Sequence, residues 1–177
     1  FIIMNSTKKV SFWEFFQGLG KTFMLPVALL GISGTLLGVG SAFTSNELLT
    51  QFPVLANPIL QYFFNFITLL GAFTFSNLPV LFAMAIPLGL AREEKGVAAF
   101  SGFVGYAIMN MSINFYLTAT HQLFEPAVMK AHGQAMIMGV QTINTGVLGG
   151  IIAGIIVYLL HNKFWEIKLP DSFAFFG

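Results

Sequence analysis

Cysteine is missing from this 177-residue sequence, and charged side chains are scarce. Without cysteine, this sequence cannot form disulfides or thiolate metal sites, and it carries neither a cysteine nucleophile nor a phosphocysteine. Charged residues make up 8% of the chain, whereas soluble domains carry about 25%. So few charges cannot cover the surface of a water-soluble fold of this size. The formal net charge of +1 gives no indication of nucleic-acid binding.

Apolar and small residues fill the rest of the chain: 56% of the residues are hydrophobic, with 21 Phe, 18 Gly and 8 Met. Apolar side chains can face hydrocarbon, and a helix satisfies its own backbone hydrogen bonds there. This composition is typical of packed membrane helices. The sequence therefore predicts an all-α integral membrane protein with about five transmembrane helices and a short N-terminal interfacial helix.

The interfacial helix is predicted from residues 8–21, which mix aromatic and charged side chains such as Phe12, Trp13 and Lys21. The pattern suits a short helix in the lipid headgroup layer, with its aromatic side chains toward the hydrocarbon. An ordinary helical lead-in to the first span explains the same residues equally well, so both interpretations stay open.

Five uncharged stretches are candidates for membrane crossing, since a helix needs about 20 apolar residues to span the hydrocarbon. Two of them share one uncharged region. We place the break between these two at residues 76–79, because Pro79 disfavours helical geometry in the residue before it. A charged turn, residues 92–95, follows the third candidate. The predicted spans are residues 22–46, 60–75, 79–90, 96–119 and 141–160.

The third predicted span is short and contains Pro87 and Gly89. Short, proline-interrupted segments can be half-helices that line a polar cavity. They can also be kinked, tilted spans, and this is the interpretation that we favour.

Small residues recur four positions apart in three of the predicted spans. This spacing lets two helices approach closely, so we expect helix-packing surfaces rather than a pore. No catalytic residue is predicted. The candidate site residues are therefore packing residues: Gly34, Gly38, Ser101, Gly105, Gly150 and Gly154.

Polar side chains lie in the fourth predicted span at Asn110, Ser112 and Asn114. Intramembrane amides usually face protein or water rather than lipid. We interpret these residues as hydrogen-bonding groups between helices, ahead of contact with a solute.

Residues 120–134 form the clearly hydrophilic loop of the sequence and include His121, Glu125 and His132. Histidine and glutamate are potential metal ligands, but their spacing here matches no metal-ligand motif. We therefore predict a solvated loop, no metal site and no cofactor.

Three motifs occur together in this order and spacing: residues 20–27 (Gly-Lys-Thr-Phe-Met-Leu-Pro-Val), 85–91 (Ala-Ile-Pro-Leu-Gly-Leu-Ala) and 144–154 (Asn-Thr-Gly-Val-Leu-Gly-Gly-Ile-Ile-Ala-Gly). Taken together they resemble the membrane subunit (EIIC) of the glucose and maltose branch of the bacterial phosphoenolpyruvate-dependent sugar phosphotransferase system. The resemblance covers nearly the whole chain.

This resemblance implies a multi-pass protein of the bacterial inner (plasma) membrane that carries a sugar inward and couples its uptake to phosphorylation. In the family the phosphoryl group comes from a phosphocysteine on a B domain. The sugar is held mainly by the second half of the membrane domain, through a Gly-Ile-Thr-Glu motif and a histidine. That motif does not occur here. The substrate-binding residues are thus unknown and expected in a C-terminal half absent from this chain.

What matches is the N-terminal half, which in the family is the dimerisation scaffold. The resemblance implies an interfacial lead-in at residues 1–21, a transmembrane scaffold part at 22–160 and an amphipathic connector at 161–177. The implied partners are a sugar (maltose or glucose) through the complete subunit, the B domain, the lipid membrane and a second copy of the chain. Such a half is expected to be inactive alone.

Two other readings of the sequence are weighed against this one. A free-standing small membrane protein that acts in assembly or regulation, through its glycine faces, stays open as the alternative. An unrelated small channel is disfavoured, because the predicted spans contain no Asp or Glu to mark an ion pathway.

Overall fold

The computed structural model describes residues 2–167, with side chains from Phe12 onward. Most of the connector predicted at residues 161–177 therefore lies outside the described residues. The chain forms seven α-helices and one β-hairpin in this range. They are α1 (Ile2–Thr22), α2 (Met24–Phe43), α3 (Asn46–Gln51), α4 (Pro58–Ser76), α5 (Leu78–Leu90), α6 (Lys95–Ala119), β1 (Gln134–Ile137), β2 (Val140–Ile143) and α7 (Gly146–Phe164).

The predicted membrane class is confirmed by the length and composition of the helices. Four segments are long and apolar enough to cross a membrane: Phe12–Phe43, Pro58–Ser76, Lys95–Ala119 and Gly146–Phe164. The fifth predicted span, α5, is a shorter apolar helix. Its 13 residues rise only about 20 Å, less than the roughly 30 Å of a bilayer core. An interfacial position for α1 stays a prediction.

The described residues fall into two compact units, which we treat separately. The first, the helix-pair unit, is Met24–Leu78 and consists mainly of α2 and α4. The second, the α5-centred unit, combines α1 with the chain from Pro79 onward.

In the helix-pair unit, side-chain caps define where α3 and α4 begin. Ser45 accepts a hydrogen bond from the backbone N–H of Leu48 and starts α3, and Asn57 accepts one from Ile59 ahead of α4. The oxygen of such a cap replaces the carbonyl partner that the first helical N–H groups lack. Asn77 ends α4, and its backbone and side-chain N–H groups both donate to the Phe73 carbonyl. The predicted break at residues 76–79 is thereby confirmed.

In the α5-centred unit, α5 itself is the best-buried element. Phe82, Ala83, Ala85, Ile86 and Pro87 are all buried, whereas most residues of the longer helices are exposed or half-buried. The cluster of buried residues at its centre joins Ala83 of α5 to Tyr106 of α6 and Ala153 of α7. The helix runs uninterrupted through Pro87. The core of this unit is thus built around the shortest of its apolar helices.

One prediction is wrong: the last span does not begin at residue 141. Residues 141–143 belong to strand β2, which pairs antiparallel with β1, and α7 begins only at Gly146. The hairpin turn is Met138-Gly139, and both residues have positive φ, 53° and 80°. Turns of this kind match the right-handed twist of the paired strands, and glycine adopts the second position without steric cost. The β-hairpin was not predicted.

Two buried glutamines attach the hydrophilic loop to this hairpin. Gln141 donates to the Phe124 carbonyl at 2.6 Å and to the Gln134 side-chain oxygen at 2.9 Å. Gln134 in turn donates to the Gln122 carbonyl at 3.0 Å and accepts from the Phe124 N–H. The predicted loop side chains His121, Glu125 and His132 are exposed. The loop is therefore solvated on its outside and held in place by amide groups on its inside.

Replacing Gln134 with Leu removes one donor and one acceptor from this network. The Phe124 N–H and the Gln122 carbonyl then lose their partners, and each lost hydrogen bond removes about 0.5–1.5 kcal/mol of stabilisation. We expect faster amide hydrogen exchange across residues 120–133 in the purified protein.

The matched control is Gln122→Leu, because the Gln122 side chain is exposed and only its backbone carbonyl takes part in the network. Equal exchange in the two variants would show that the glutamine pair does not hold the loop.

Candidate functional site

The glycines of α7 let its backbone touch the backbone of α5. A Cβ atom added at Gly150 would collide with the Pro79 carbonyl group. At Gly154 it would lie 3.1 Å from Ile86 Cβ and 3.3 Å from the Ala83 carbonyl oxygen. Both glycines are buried. These two predicted packing residues thus lie together on the face of α7 that contacts α5.

The backbone of α6 comes close to that of α5 at Gly102, a residue that we did not single out in the sequence. A Cβ there would collide with the Ala83 carbonyl oxygen and lie 3.1 Å from Pro87 Cγ. Pro87 has no N–H, so it cannot give the Ala83 carbonyl its usual helical hydrogen bond. The missing Cβ lets a Cα–H of Gly102 point at this oxygen, a weak but recurrent contact between helices.

Ser101 and Gly105 lie on a neighbouring face of α6. A Cβ at Gly105 would come 2.5 Å from a methyl carbon of Val157 in α7. Ser101 is half-buried and, with Gly105, lines an apolar groove of about 900 Å³ along α6 and α7. Trp165 lies among the lining residues at the C-terminal end of α7. The pair therefore faces α7 and the groove beside it, rather than α5.

In the helix-pair unit the tightest contacts are made by glycines other than the predicted ones. A Cβ at Gly71 of α4 would lie 2.5 Å from the Leu37 backbone nitrogen and 2.6 Å from the Ser33 carbonyl oxygen. At Gly40 of α2 it would collide with the Thr68 hydroxyl. Nearby, the Ser33 hydroxyl donates to that of Thr74 at 2.6 Å.

The predicted pair Gly34 and Gly38 lies on a different part of the α2 surface. A Cβ at Gly34 would make an ordinary contact, 3.8 Å from the Phe75 ring, and at Gly38 it would meet no atom of the described residues within 4 Å. Gly38 is exposed. A packing role for Gly38 would therefore require another molecule, and for all six residues the role stays a prediction.

The charged turn after α5 is fastened to the end of α7. His161 Nε2 lies 2.8 Å from the Glu93 carbonyl oxygen, and since a carbonyl can only accept, the imidazole donates. The Asn162 side-chain oxygen accepts from the Arg92 N–H at 3.5 Å. The side chains of the turn itself, residues 92–95, are all exposed. The turn thus presents its charges outward from a fixed backbone.

The chemistry that these surfaces support is packing and hydrogen bonding. Within the described residues there is no group of three His, Asp or Glu side chains placed to hold a metal ion. Asn114, predicted to bond between helices, donates to the Gln141 carbonyl at 2.8 Å, whereas Ser112 donates within its own helix. Close helix contacts, rather than a reactive centre, dominate the described part of the chain.

The amino-acid sequence of this chain is similar to those of known proteins. The family described as "Phosphotransferase system, EIIC" matches this chain over residues 20–177. The chain belongs to this family. It is accordingly a multi-pass protein of the bacterial inner membrane, in agreement with the four candidate spans. The resemblance read from the three motifs is confirmed.

Two curated relatives define the similarity further. The chain is 57% identical over 175 residues to the "PTS system maltose-specific EIICB component" of Escherichia coli (strain K12), covering 98% of this chain and 33% of that protein. It is 39% identical over 161 residues to the "PTS system glucose-specific EIICBA component" of Staphylococcus saprophyticus, covering 91% of this chain and 23% of that protein. The chain thus spans a third or less of the length of these relatives and matches their N-terminal part.

The contrast between Gly71 and Gly38 gives a direct test of the helix-pair unit. Gly71→Ala forces a methyl group against the backbone of α2, and neither helix can yield without moving as a whole. We expect a loss of about 1–3 kcal/mol in the free energy of unfolding, as is usual for overpacking. The measurement is reversible unfolding of the purified protein in mixed detergent micelles.

Gly38→Ala is the matched control, since it adds the same methyl group to the same helix pair where space is open. With unfolding measured on the monomeric chain, it should leave the free energy of unfolding unchanged or raise it slightly through the better helix propensity of alanine. Equal losses in both variants would contradict the assignment of Gly71 as the contact point.

Proposed function

We propose that this chain is the N-terminal scaffold half of a sugar-transporting phosphotransferase permease of the maltose and glucose type. The observation that carries the proposal is the 57% identity to a maltose-specific EIICB component over nearly the whole of this chain. In the complete subunit, sugar uptake is coupled to sugar phosphorylation. The scaffold half holds the dimer together and supports the half that binds the sugar.

The character of the described spans supports a scaffold role. Helices α2, α4, α5, α6 and α7 contain no Asp or Glu. A phosphorylation step needs a base near the sugar hydroxyl, and these helices offer no carboxylate for that task. In both units, however, glycines of these helices pack directly against the backbone of a neighbouring helix. We infer that this half alone neither transports nor phosphorylates sugar.

The partners follow from the same proposal. They are maltose or glucose bound by the complete subunit, a B domain that donates a phosphoryl group from its phosphocysteine, and a second copy of this chain. The first two are named in part by the relatives, which are described as maltose-specific EIICB and glucose-specific EIICBA components. The domain division at residues 1–21, 22–160 and 161–177 belongs to this proposal as well.

A chimaeric permease tests the assignment to this half. In the Escherichia coli relative, the matching segment is replaced by the present 177 residues, and maltose uptake is measured in cells that lack their own maltose permease. We expect uptake to be retained, because the sugar-binding residues come from the relative. Loss of uptake, with the chimaera present in the membrane in normal amounts, would contradict the proposal.

The isolated chain provides the complementary experiment. Fluorescence of Trp13 and Trp165 is followed during titration with maltose and glucose, since Trp165 lines the groove on α6 and α7. No saturable change is expected. Saturable binding of either sugar would place the sugar site within these spans and overturn the scaffold assignment.

The dimer proposal predicts a role for the open position at Gly38. Gly31, Thr35 and Gly38 are exposed small residues about one helical turn apart on α2, a surface that suits close approach of a second copy. We expect Gly38→Leu to shift the chain from dimer to monomer in native mass spectrometry from detergent. The physical reason is that a bulky side chain blocks the approach.

Gly96→Leu is the control, because Gly96 is also exposed and a Cβ there meets no atom of the described residues within 4 Å. It should leave the dimer intact. A dimer that survives Gly38→Leu would exclude this face of α2 as the contact.

A further inference from the structure

Four buried oxygen atoms lie in the α5-centred unit without a hydrogen-bond partner among the described residues. They are the Tyr106 hydroxyl, the Asn110 side-chain carbonyl and the hydroxyls of Thr142 and Thr145. Tyr106 and Asn110 are 1% exposed and Thr142 is 0% exposed. Buried polar side chains in native proteins nearly always have a partner, so a group of such atoms calls for a physical explanation.

The antiparallel packing of α6 on β2 and α7 brings the segments that carry these atoms to one junction. Gly105 faces Val157, Tyr106 packs with Ala153, and further along α6 Asn114 donates to the Gln141 carbonyl. Asn110 lies between these points on α6. The residues opposite it are therefore those between Gln141 and Ala153, the stretch that contains both threonines.

Contacts at Gly149 support the same register. A Cβ atom added at Gly149 would collide with the Thr145 hydroxyl and lie 3.5 Å from Met109 Cε. Thr145 thus points toward the part of α6 that carries Asn110. The amide nitrogen of Asn110 donates to the Tyr106 carbonyl at 3.0 Å, which leaves its oxygen as the unpaired atom.

The chemistry of the four atoms limits what can bind them. The amide oxygen only accepts hydrogen bonds, whereas the three hydroxyls can both donate and accept. A suitable ligand therefore donates and accepts, and it is small, because Tyr106, Asn110 and Thr142 are almost fully buried. It is also neutral: α6, β2 and α7 carry no carboxylate to compensate a cation, and an isolated buried charge is strongly disfavoured. Water meets all these conditions.

We propose that Tyr106, Asn110, Thr142 and Thr145 bind internal water at the junction of α6, β2 and α7. Buried waters typically make about three hydrogen bonds to polar groups that otherwise lack partners. Here they join the hairpin to the two long helices by hydrogen bonds. The proposal does not depend on sugar transport and holds for the chain by itself.

Radiolytic labelling in H₂¹⁸O tests for this water directly. X-rays generate hydroxyl radicals from bound water inside a protein, and these label side chains beside it. In the intact chain we expect ¹⁸O incorporation at Tyr106 well above that at Phe82, which is also buried but packs against apolar groups and the Phe23 ring. Labelling of Tyr106 at the level of Phe82 would overturn the proposal.

The substitution Thr142→Val gives a second test, in which the sign of the effect decides. Valine keeps the shape of threonine and removes the hydroxyl. If the hydroxyl binds water, the variant melts at a lower temperature than the parent and Tyr106 is labelled less. If the hydroxyl is truly unpaired, removing it relieves a buried polar group and the melting temperature rises. Thr118→Val, at an exposed position, is the control.

Sodium is the remaining occupant to distinguish, since oxygen atoms are also its ligands. Melting temperature is compared in NaCl and in choline chloride at equal ionic strength. We expect no difference between the two salts. A melting temperature that rises with sodium concentration in the parent chain, but not in Thr142→Val, would overturn the proposal in favour of a cation.

Discussion

Backbone contact around α5 is the constraint on which the α5-centred unit depends. Gly102 of α6 and Gly150 and Gly154 of α7 all lie against backbone atoms of this one short helix. Without a hydrophobic driving force between helices in lipid, such close packing is what holds membrane helices together. A single added methyl group at these positions has no flexible side chain to displace. We therefore expect substitutions with larger residues to be tolerated poorly at these three glycines and better elsewhere on the helices.

The polar groups of the chain complement this apolar packing. The amides of Gln134 and Gln141 fix the loop and the hairpin, and that of Asn114 ties α6 to β2. The long helices meanwhile expose large apolar side chains, for example Phe66, Leu69 and Phe73 on α4. A water-soluble protein would bury such residues, but hydrocarbon accepts them. Apolar side chains on the outside and hydrogen-bonded amides on the inside thus fit a chain that lies in a membrane.

The sequence was enough to predict the helices and insufficient to predict their contacts. The spans are predictable because a long uncharged, apolar stretch indicates a membrane-crossing helix. The break at Asn77 is predictable because Pro79 disfavours helical geometry in the residue before it. The spacing rule selected Gly150 and Gly154, which lie against α5, but also Gly38, where an added Cβ would meet no atom of the described residues within 4 Å. It missed Gly71 and Gly102. Glycine spacing says where helices can approach, whereas the partner's backbone decides which glycine is used.

The hairpin was missed for a different reason. We placed residues 141–143 at the start of the last span because no charge separates them from α7. Over a few residues, moreover, the hydrophobicity of a strand and of a helix is the same. A signal was nevertheless present: β-branched Ile137, Val140, Thr142 and Ile143 flank a turn that contains Gly139. The burial of the Thr142 and Thr145 hydroxyls cannot be predicted from the sequence, since it depends on how β2 and α7 pack against α6.

The two units also differ in whether they are continuous in the sequence, and this determines when their helices can pair during synthesis. The helix-pair unit is one continuous stretch, Met24–Leu78, so its partners emerge one after the other and can pair during synthesis. The α5-centred unit is discontinuous, because it joins α1 to the chain after Pro79. Its central helix is too short to hold itself across the bilayer and meets Gly150 and Gly154 only once α7 is made. Until α7 has been synthesised, α5 lacks its contacts with Gly150 and Gly154, whereas the contact with Gly102 of α6 can form earlier.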